Sequence, residues 1–214
     1  MTPRPTCTRH GLERRHFLLL VVATCLGWGT HTTTATEAPM VGTGQILRGR
    51  FIQERRLQGF GKPLLSEGRF TLAPGQGLIW QLEHPFASLL AIGPHGLTQR
   101  VGDNETLRLN VAQLPFLDTL RQVFESALSG SSTGLNALFI VHQEADVMEL
   151  TPRPSTMQVE WRIQRLRVRL GRFVDEVEIW KENGDADLLH FREQVLQDSP
   201  LEKEEQALLS AAGS

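Results

Sequence analysis

Apolar and polar residues alternate along short stretches of this chain, most clearly in GRFTLAPGQGLIWQLEHPF at residues 68–86. Bulky apolar groups take every second position on either side of a Pro-Gly turn, with Arg69, Thr71 and Gln81 between them. A period of two is typical of a β-strand with one buried face. The stretch therefore predicts a hairpin with one apolar face. That face carries Phe70, Leu72, Leu78, Trp80 and Leu82.

Similar runs continue along the chain, for example over residues 50–53, 173–180 and 187–191, and they are separated by glycine-rich turns such as those at Gly102 and at Asn183-Gly184. Together they predict about ten antiparallel strands with short connections. In the run at residues 159–170 the alternation changes phase, and such a slip would turn every later side chain over. We therefore expect a turn or a bulge near Gln164 and Arg165.

The period changes in the middle of the chain. Apolar residues there recur three and four positions apart, which predicts an amphipathic helix over residues 115–128 with Pro115 in its first turn. A second helix is predicted over residues 201–211. The pattern as a whole indicates a mainly β protein with a few helices, whose long sheet curls on itself.

A curled sheet of ten strands has a large concave face, and the sequence offers few helices to cover it. Either the sheet closes tightly around its own side chains, or a space remains that could hold an apolar ligand. In the second case we expect Phe70, Leu72, Leu78, Trp80, Leu82, Leu90 and Ile92 to line the walls. Phe116, Leu117, Leu120 and Phe124 would form a lid over them.

Residues 1–35 have the pattern of an export signal: four arginines, an apolar run too short to span a bilayer, and small residues before a cleavage point after Ala35. Arg14-Arg15 followed by His-Phe-Leu also fits a twin-arginine signal, so the Sec and twin-arginine routes both remain open. Lipidation of Cys25 is a further alternative. We expect residues 36–214 to form one domain.

Composition narrows the possible functions. Both cysteines, Cys7 and Cys25, lie in the leader, so the rest of the chain has no thiol for catalysis, metal binding or a disulfide. The leader carries four Arg and one Glu, which leaves 18 basic and 23 acidic side chains, a net charge near −5. This charge argues against a nucleic-acid partner.

Few motifs suggest chemistry. Gly130 to Gly134 match the G-x-S-x-G pattern around Ser132, but they follow a predicted helix, whereas a serine nucleophile needs a strand-to-helix turn. The four remaining histidines have no metal-site spacing. Arg167 and Arg169 share a strand face, either as a solvent face paired with Glu176 and Glu178 or as a docking strip for an acidic partner or lipid headgroup. We therefore expect no enzyme activity, no cofactor and no metal.

Several short motifs, in their order and spacing, resemble the outer-membrane lipoprotein carrier family, LolA, over roughly residues 45–209. They are FIQER at 51–55, GRF at 68–70, GLIW at 77–80 with Pro85, LTPR at 150–153, GRFVDEV at 171–177 and NGD at 183–185. The resemblance implies an open, incomplete antiparallel β-barrel with a helical lid around a hydrophobic cavity. It also implies that Leu78 and Trp80 line that cavity and that residues 116–124 belong to the lid.

The function implied by the resemblance is that of a monomeric periplasmic carrier for the acyl chains of a lipoprotein or lipid. An inner-membrane donor and an outer-membrane acceptor would be its protein partners. The chain departs from the family at residues 73–75, Ala-Pro-Gly, where the family has the Arg that holds the lid shut. The glycines Gly42, Gly44 and Gly49 also disfavour the family's N-terminal helix. The alternatives are a lipid-sensing or structural envelope module with the same fold, and an esterase built on Ser132.

Overall fold

Strands make up most of the chain that the structure describes. The protein is represented by a computed structural model that describes residues 41–42, 44–111, 125–126, 135–153 and 163–214. The strands of the first half are β1 (Ile46–Arg56), β2 (Leu64–Ala73), β3 (Gly77–His84), β4 (Ser88–Gly93), β5 (Gly96–Val101) and β6 (Asn104–Asn110). Those of the second half are β7 (Phe139–Glu144), β8 (Val147–Pro152), β9 (Ile163–Leu170), β10 (Val174–Lys181) and β11 (Ala186–Gln197). A 3-10 turn spans Leu135–Ala137, and the helix α1 spans Lys203–Ala211.

All eleven strands belong to one antiparallel sheet, in the order β6-β5-β4-β3-β2-β1-β11-β10-β9-β8-β7. Two meanders, β1 to β6 and β7 to β11, are thus joined where β1 pairs with β11. Strands β6 and β7 form separate edges, so the sheet is open. One apolar cluster takes side chains from every strand, which shows that the sheet curves around a shared interior. The predicted open antiparallel sheet is confirmed, with eleven strands in the described residues against the predicted ten or so.

The two faces of the sheet bury different sets of side chains. We call the face that carries Phe51, Phe70 and Trp80 the inner face. The opposite, outer face carries Ile46 and Ile79, and α1 covers it at β3 and β4. The helix predicted at residues 201–211 is therefore confirmed, and it packs outside the curve of the sheet.

Polar contacts fix the start of α1 on the outer face. Glu205 accepts hydrogen bonds from Arg48 Nη2 at 2.8 Å and from Thr71 Oγ1 at 3.1 Å. It also accepts one at 3.0 Å from the backbone N–H of Glu202, just before the helix begins. At the other end of the helix a Cβ on Gly93 would lie 2.0 Å from the Leu209 carbonyl oxygen, so only glycine lets the helix approach β4 this closely.

Five register shifts interrupt the strand pairing of the described residues, and two of them bear on the sequence predictions. Trp180 and Lys181 of β10 pair with Arg165 and Ile163 of β9, so Gln164 is the extra residue. The bulge predicted near residues 164–165 is therefore confirmed. A second bulge lies in β11 opposite Gly49, where Glu193 takes a φ of 52°. It interrupts the alternation after residue 191, and this is why the sequence pattern ended β11 six residues early.

Of the central helix predicted at residues 115–128, the structure describes Glu125 and Ser126, and both are helical. The four predicted lid residues, Phe116, Leu117, Leu120 and Phe124, lie outside the described residues. So do the leader and Ser132 of the G-x-S-x-G pattern.

Candidate functional site

Four aromatic rings meet at the centre of the inner face. They are Phe51 of β1, Phe70 of β2, Trp80 of β3 and Phe191 of β11. The Phe51 and Trp80 rings stack with centroids 3.8 Å apart, and Phe191 packs edge-on against Phe70 at 5.4 Å and against Trp80 at 6.0 Å. Register explains the grouping, because Phe70 pairs directly with Trp80 and Phe51 pairs directly with Phe191. The aromatic cluster therefore joins the two meanders on the inner side.

Gly49 makes room for this aromatic cluster. It pairs with Phe70, and a Cβ at residue 49 would lie 2.7 Å from Cε1 of the Phe70 ring. That distance is well inside van der Waals contact, so the ring lies where a side chain would otherwise stand. In the sequence, Gly49 disfavours the N-terminal helix that the resemblance implies. In the structure it lies inside β1, where the absence of a side chain makes room for the Phe70 ring.

The inner face is buried to different degrees along the strands. We call the end where β3 begins the Gly77 end and the end where β11 begins the Asp187 end. Towards the Gly77 end the apolar residues are buried, and towards the Asp187 end residues on the same strands are half-buried. The buried and half-buried members are, respectively, Leu78 and Leu82 on β3, Ile92 and Leu90 on β4, Val177 and Ile179 on β10, and Phe191 and Leu189 on β11. On these four strands the apolar face is therefore closed at one end and partly accessible at the other, whereas the apolar residues at the Asp187 end of β7 and β8 are buried.

The seven predicted wall residues come together on this inner face. Cross-strand pairs join Leu72 to Leu78, Leu78 to Ile92, and Trp80 to Leu90. Phe70, Leu72, Leu78 and Ile92 are fully buried, whereas Trp80, Leu82 and Leu90 are half-buried. The accessible apolar surface is thus provided by the second group.

Sequence reasoning did not select the residues that complete the face from the second meander and from β1. Phe51, Ile179, Leu189 and Phe191 all lie in predicted strands. Their alternation indicated a buried side, but no local signal showed that β1 pairs with β11. That pairing brings these residues against the predicted wall.

A charged group lies on the inner face at the Asp187 end. The side chain of Asp187 is 5% exposed. Its Oδ1 accepts hydrogen bonds from Arg55 Nε at 2.8 Å and Gln53 Nε2 at 2.9 Å, and its Oδ2 pairs with Lys181 Nζ at 2.6 Å. Burial raises the pKa of Asp187, but the hydrogen bonds from Arg55 and Lys181 outweigh it and hold the pKa below its ordinary value. The carboxylate therefore stays ionised and ties β1, β10 and β11 together.

The outer face offers two grooves, one on each side of α1. The groove on the β5 side has a volume of about 450 Å³ and is lined by residues such as Leu89, Arg108 and Leu208. The groove over β1 and β2, of about 770 Å³, combines Arg48, Arg69 and other charged groups. Neither matches the predicted cavity, which belongs to the inner face.

The arginines of β9 lie on the outer face. Arg169 Nη2 is 3.2 Å from Glu176 Oε1, and Arg167 pairs in register with Glu178. These contacts favour the interpretation of a paired solvent face. In the described part of the chain no group of His, Cys, Asp and Glu side chains could hold a metal ion. No helix within that part is long and apolar enough to cross a membrane.

No protein-family model matches the chain, and no curated protein is significantly similar to it. Among solved structures it is similar to a LolA superfamily protein from Nitrosomonas europaea, with 10% identity and a TM-score of 0.42 over 77% of this chain and 91% of that one. A domain described as a putative outer membrane lipoprotein-sorting protein from Vibrio parahaemolyticus has 11% identity and a TM-score of 0.37. That match covers 79% of this chain and 92% of the other. The MucA/MucB complex of Pseudomonas aeruginosa has 14% identity and a TM-score of 0.36. That match covers 75% of this chain and 55% of the other.

Proposed function

We propose that this protein is a periplasmic carrier, related in design to LolA, that shelters acyl chains of a lipoprotein or lipid and delivers them toward the outer membrane. The observation that carries the proposal is the inner face of β3, β4, β10 and β11, closed at the Gly77 end and half-buried at the Asp187 end. An acyl chain gains ~0.8 kcal/mol for each CH₂ that it buries, so it cannot cross an aqueous compartment uncovered at an acceptable rate. Trp80, Leu82 and Leu90 would provide the contact surface.

The lid is part of the same proposal. We assign Phe116, Leu117, Leu120 and Phe124 to a helix that covers the inner face. Two described residues support this assignment, Val111 before the segment and Leu135 after it. Both pack against the inner-face cluster, and strand directions place them at opposite ends of the sheet. A segment that runs from Val111 to Leu135 must pass from one end of the sheet to the other, as a helix that covers the inner face would.

Uptake of a fluorescent fatty acid tests the cavity. The half-buried Leu90 offers a change that should leave the fold intact, since glutamine has a similar length. We expect Leu90→Gln to weaken uptake about tenfold, because a loss of ~1.4 kcal/mol in binding corresponds to a factor of ten. The matched control is Ile140→Gln, at a residue that is 53% exposed on the outer face of β7.

The outcomes separate the proposal from its rivals. Equal uptake by both variants would rule out Leu90 as a wall of the site. Release of the bound lipid to acceptor vesicles only when an envelope partner is present would support transport, whereas binding without release would favour a lipid sensor. Ester hydrolysis that Ser132→Ala abolishes would favour the esterase.

A further inference from the structure

The charged group at the Asp187 end stands directly next to the half-buried apolar surface. Residues two apart on a strand share a face and lie about 7 Å apart. Asp187 is thus followed by Leu189 and Phe191 on β11, and Lys181 follows Ile179 on β10. The inner face therefore has a polar layer at its accessible end and apolar layers behind it.

The two cations of this polar layer, Arg55 and Lys181, keep donor capacity beyond their contacts with Asp187. Both oxygens of Asp187 are used by Gln53, Arg55 and Lys181. The neighbouring Asp185 accepts from the backbone N–H of Gln58 and from Asn183. Arg55 uses its Nε for Asp187, and among the described residues its two terminal NH₂ groups have no partner; its side chain is 48% exposed.

We infer that the site takes a single-chain amphiphile with an anionic head, whose carboxylate or phosphate binds Arg55 and Lys181 while the tail lies along Leu189, Leu82 and Trp80. The inference rests on the proposed function and specifies its ligand class. Arginine and lysine are the side chains that hold carboxylates and phosphates by charge-assisted hydrogen bonds. Asp187 holds the two cations together and competes with the ligand for them.

The test compares cis-parinaric acid, a fluorescent fatty acid, with its uncharged methyl ester on the delipidated protein. We expect the acid to bind more tightly than the ester. Lys181→Met should weaken the acid roughly tenfold and leave the ester unchanged. Arg56→Met is the matched control, because Arg56 is one residue from Arg55 but on the outer face, near Glu54; it should change neither ligand.

Asp187→Asn distinguishes a ligand site from a purely structural clamp. Removing the competing carboxylate should strengthen binding of the acid severalfold, the opposite sign to Lys181→Met. A clamp without a ligand role predicts that both variants weaken acid and ester alike through lost stability, and that result would overturn the inference. Dodecyl phosphate as a competitor distinguishes a phosphate head from a carboxylate.

Failure of the inference and failure of the proposed function look different. Equal binding of acid and ester by the wild-type protein would leave the carrier intact and refute the anionic site. Binding of neither would refute the apolar site itself, and the anionic site with it.

Discussion

The two ends of the inner face are built from the same strands with the same alternation, yet they differ in burial and in chemistry. At the Gly77 end Leu72 and Leu78 are at most 1% exposed, and α1 covers the outer side of the neighbouring strands. At the Asp187 end the apolar residues of β3, β4, β10 and β11 are half-buried, those of β7 and β8 are buried, and a carboxylate lies between two cations. Phe60 and Phe86, in loops at this same end, are 70% and 78% exposed. An alternating pattern thus places side chains on a face, but it does not decide how deeply each end of that face is buried.

The largest expected difference between the two ends is in the free energy of unfolding that is lost when a leucine is shortened to alanine. Leu78→Ala should lower the free energy of unfolding by about 2–5 kcal/mol, because the buried site cannot refill. Leu82→Ala, four residues along the same strand, should cost roughly 1–2 kcal/mol, since part of the Leu82 side chain is already in contact with water. Urea denaturation measures both. Equal losses would contradict the difference between the ends.

Adding a methyl group compares the packed inner face with an open loop at the Asp187 end. Gly49→Ala would place a Cβ 2.7 Å from the Phe70 ring, and we expect a loss of about 1–3 kcal/mol from overpacking. Gly61, in the loop after β1, has open space around its Cα. Gly61→Ala should be neutral or stabilising by up to about 1 kcal/mol, since alanine restricts the unfolded chain. Thermal unfolding of the two variants, each compared with the wild type, would show the contrast.

Acid should weaken the contacts of Asp187 with Arg55 and Lys181. The pKa of Asp187 is lower in the folded protein than its ordinary value of about 3.9. The ionised Asp187 carboxylate therefore contributes its full stabilisation at pH values above about 3.9. This stabilisation is lost as the pH falls through the lower pKa of the folded protein. Asp187→Asn should cost about 1–2 kcal/mol at neutral pH and should flatten the decline in stability below roughly pH 4. Urea unfolding as a function of pH measures this, and an unchanged acid limb in the variant would refute it.

Local sequence was sufficient for most of the secondary structure. Period-two runs marked the strands, the hairpin turn at Asn183-Gly184 was where the pattern put it, and the phase slip near Gln164 marked a real bulge. The prediction of strand ends failed at β11, because the bulge at Glu193 breaks the alternation on which that prediction rests. The helix at residues 201–211 was also found, but nothing in its pattern showed which face of the sheet it would cover.

The sequence by itself determined which residues share a face, because side-chain direction along a strand depends only on position. Phe70, Leu72, Leu78 and Trp80 were therefore grouped correctly without a structure. Only the tertiary structure decided what that face adjoins. The pairing of β1 with β11 joins residues 130 to 151 positions apart, and such a contact has no local signature. It brought Phe51 and Phe191 to the aromatic cluster and set Arg55 and Lys181 around Asp187, because curvature and long-range register place groups together that alternation alone cannot.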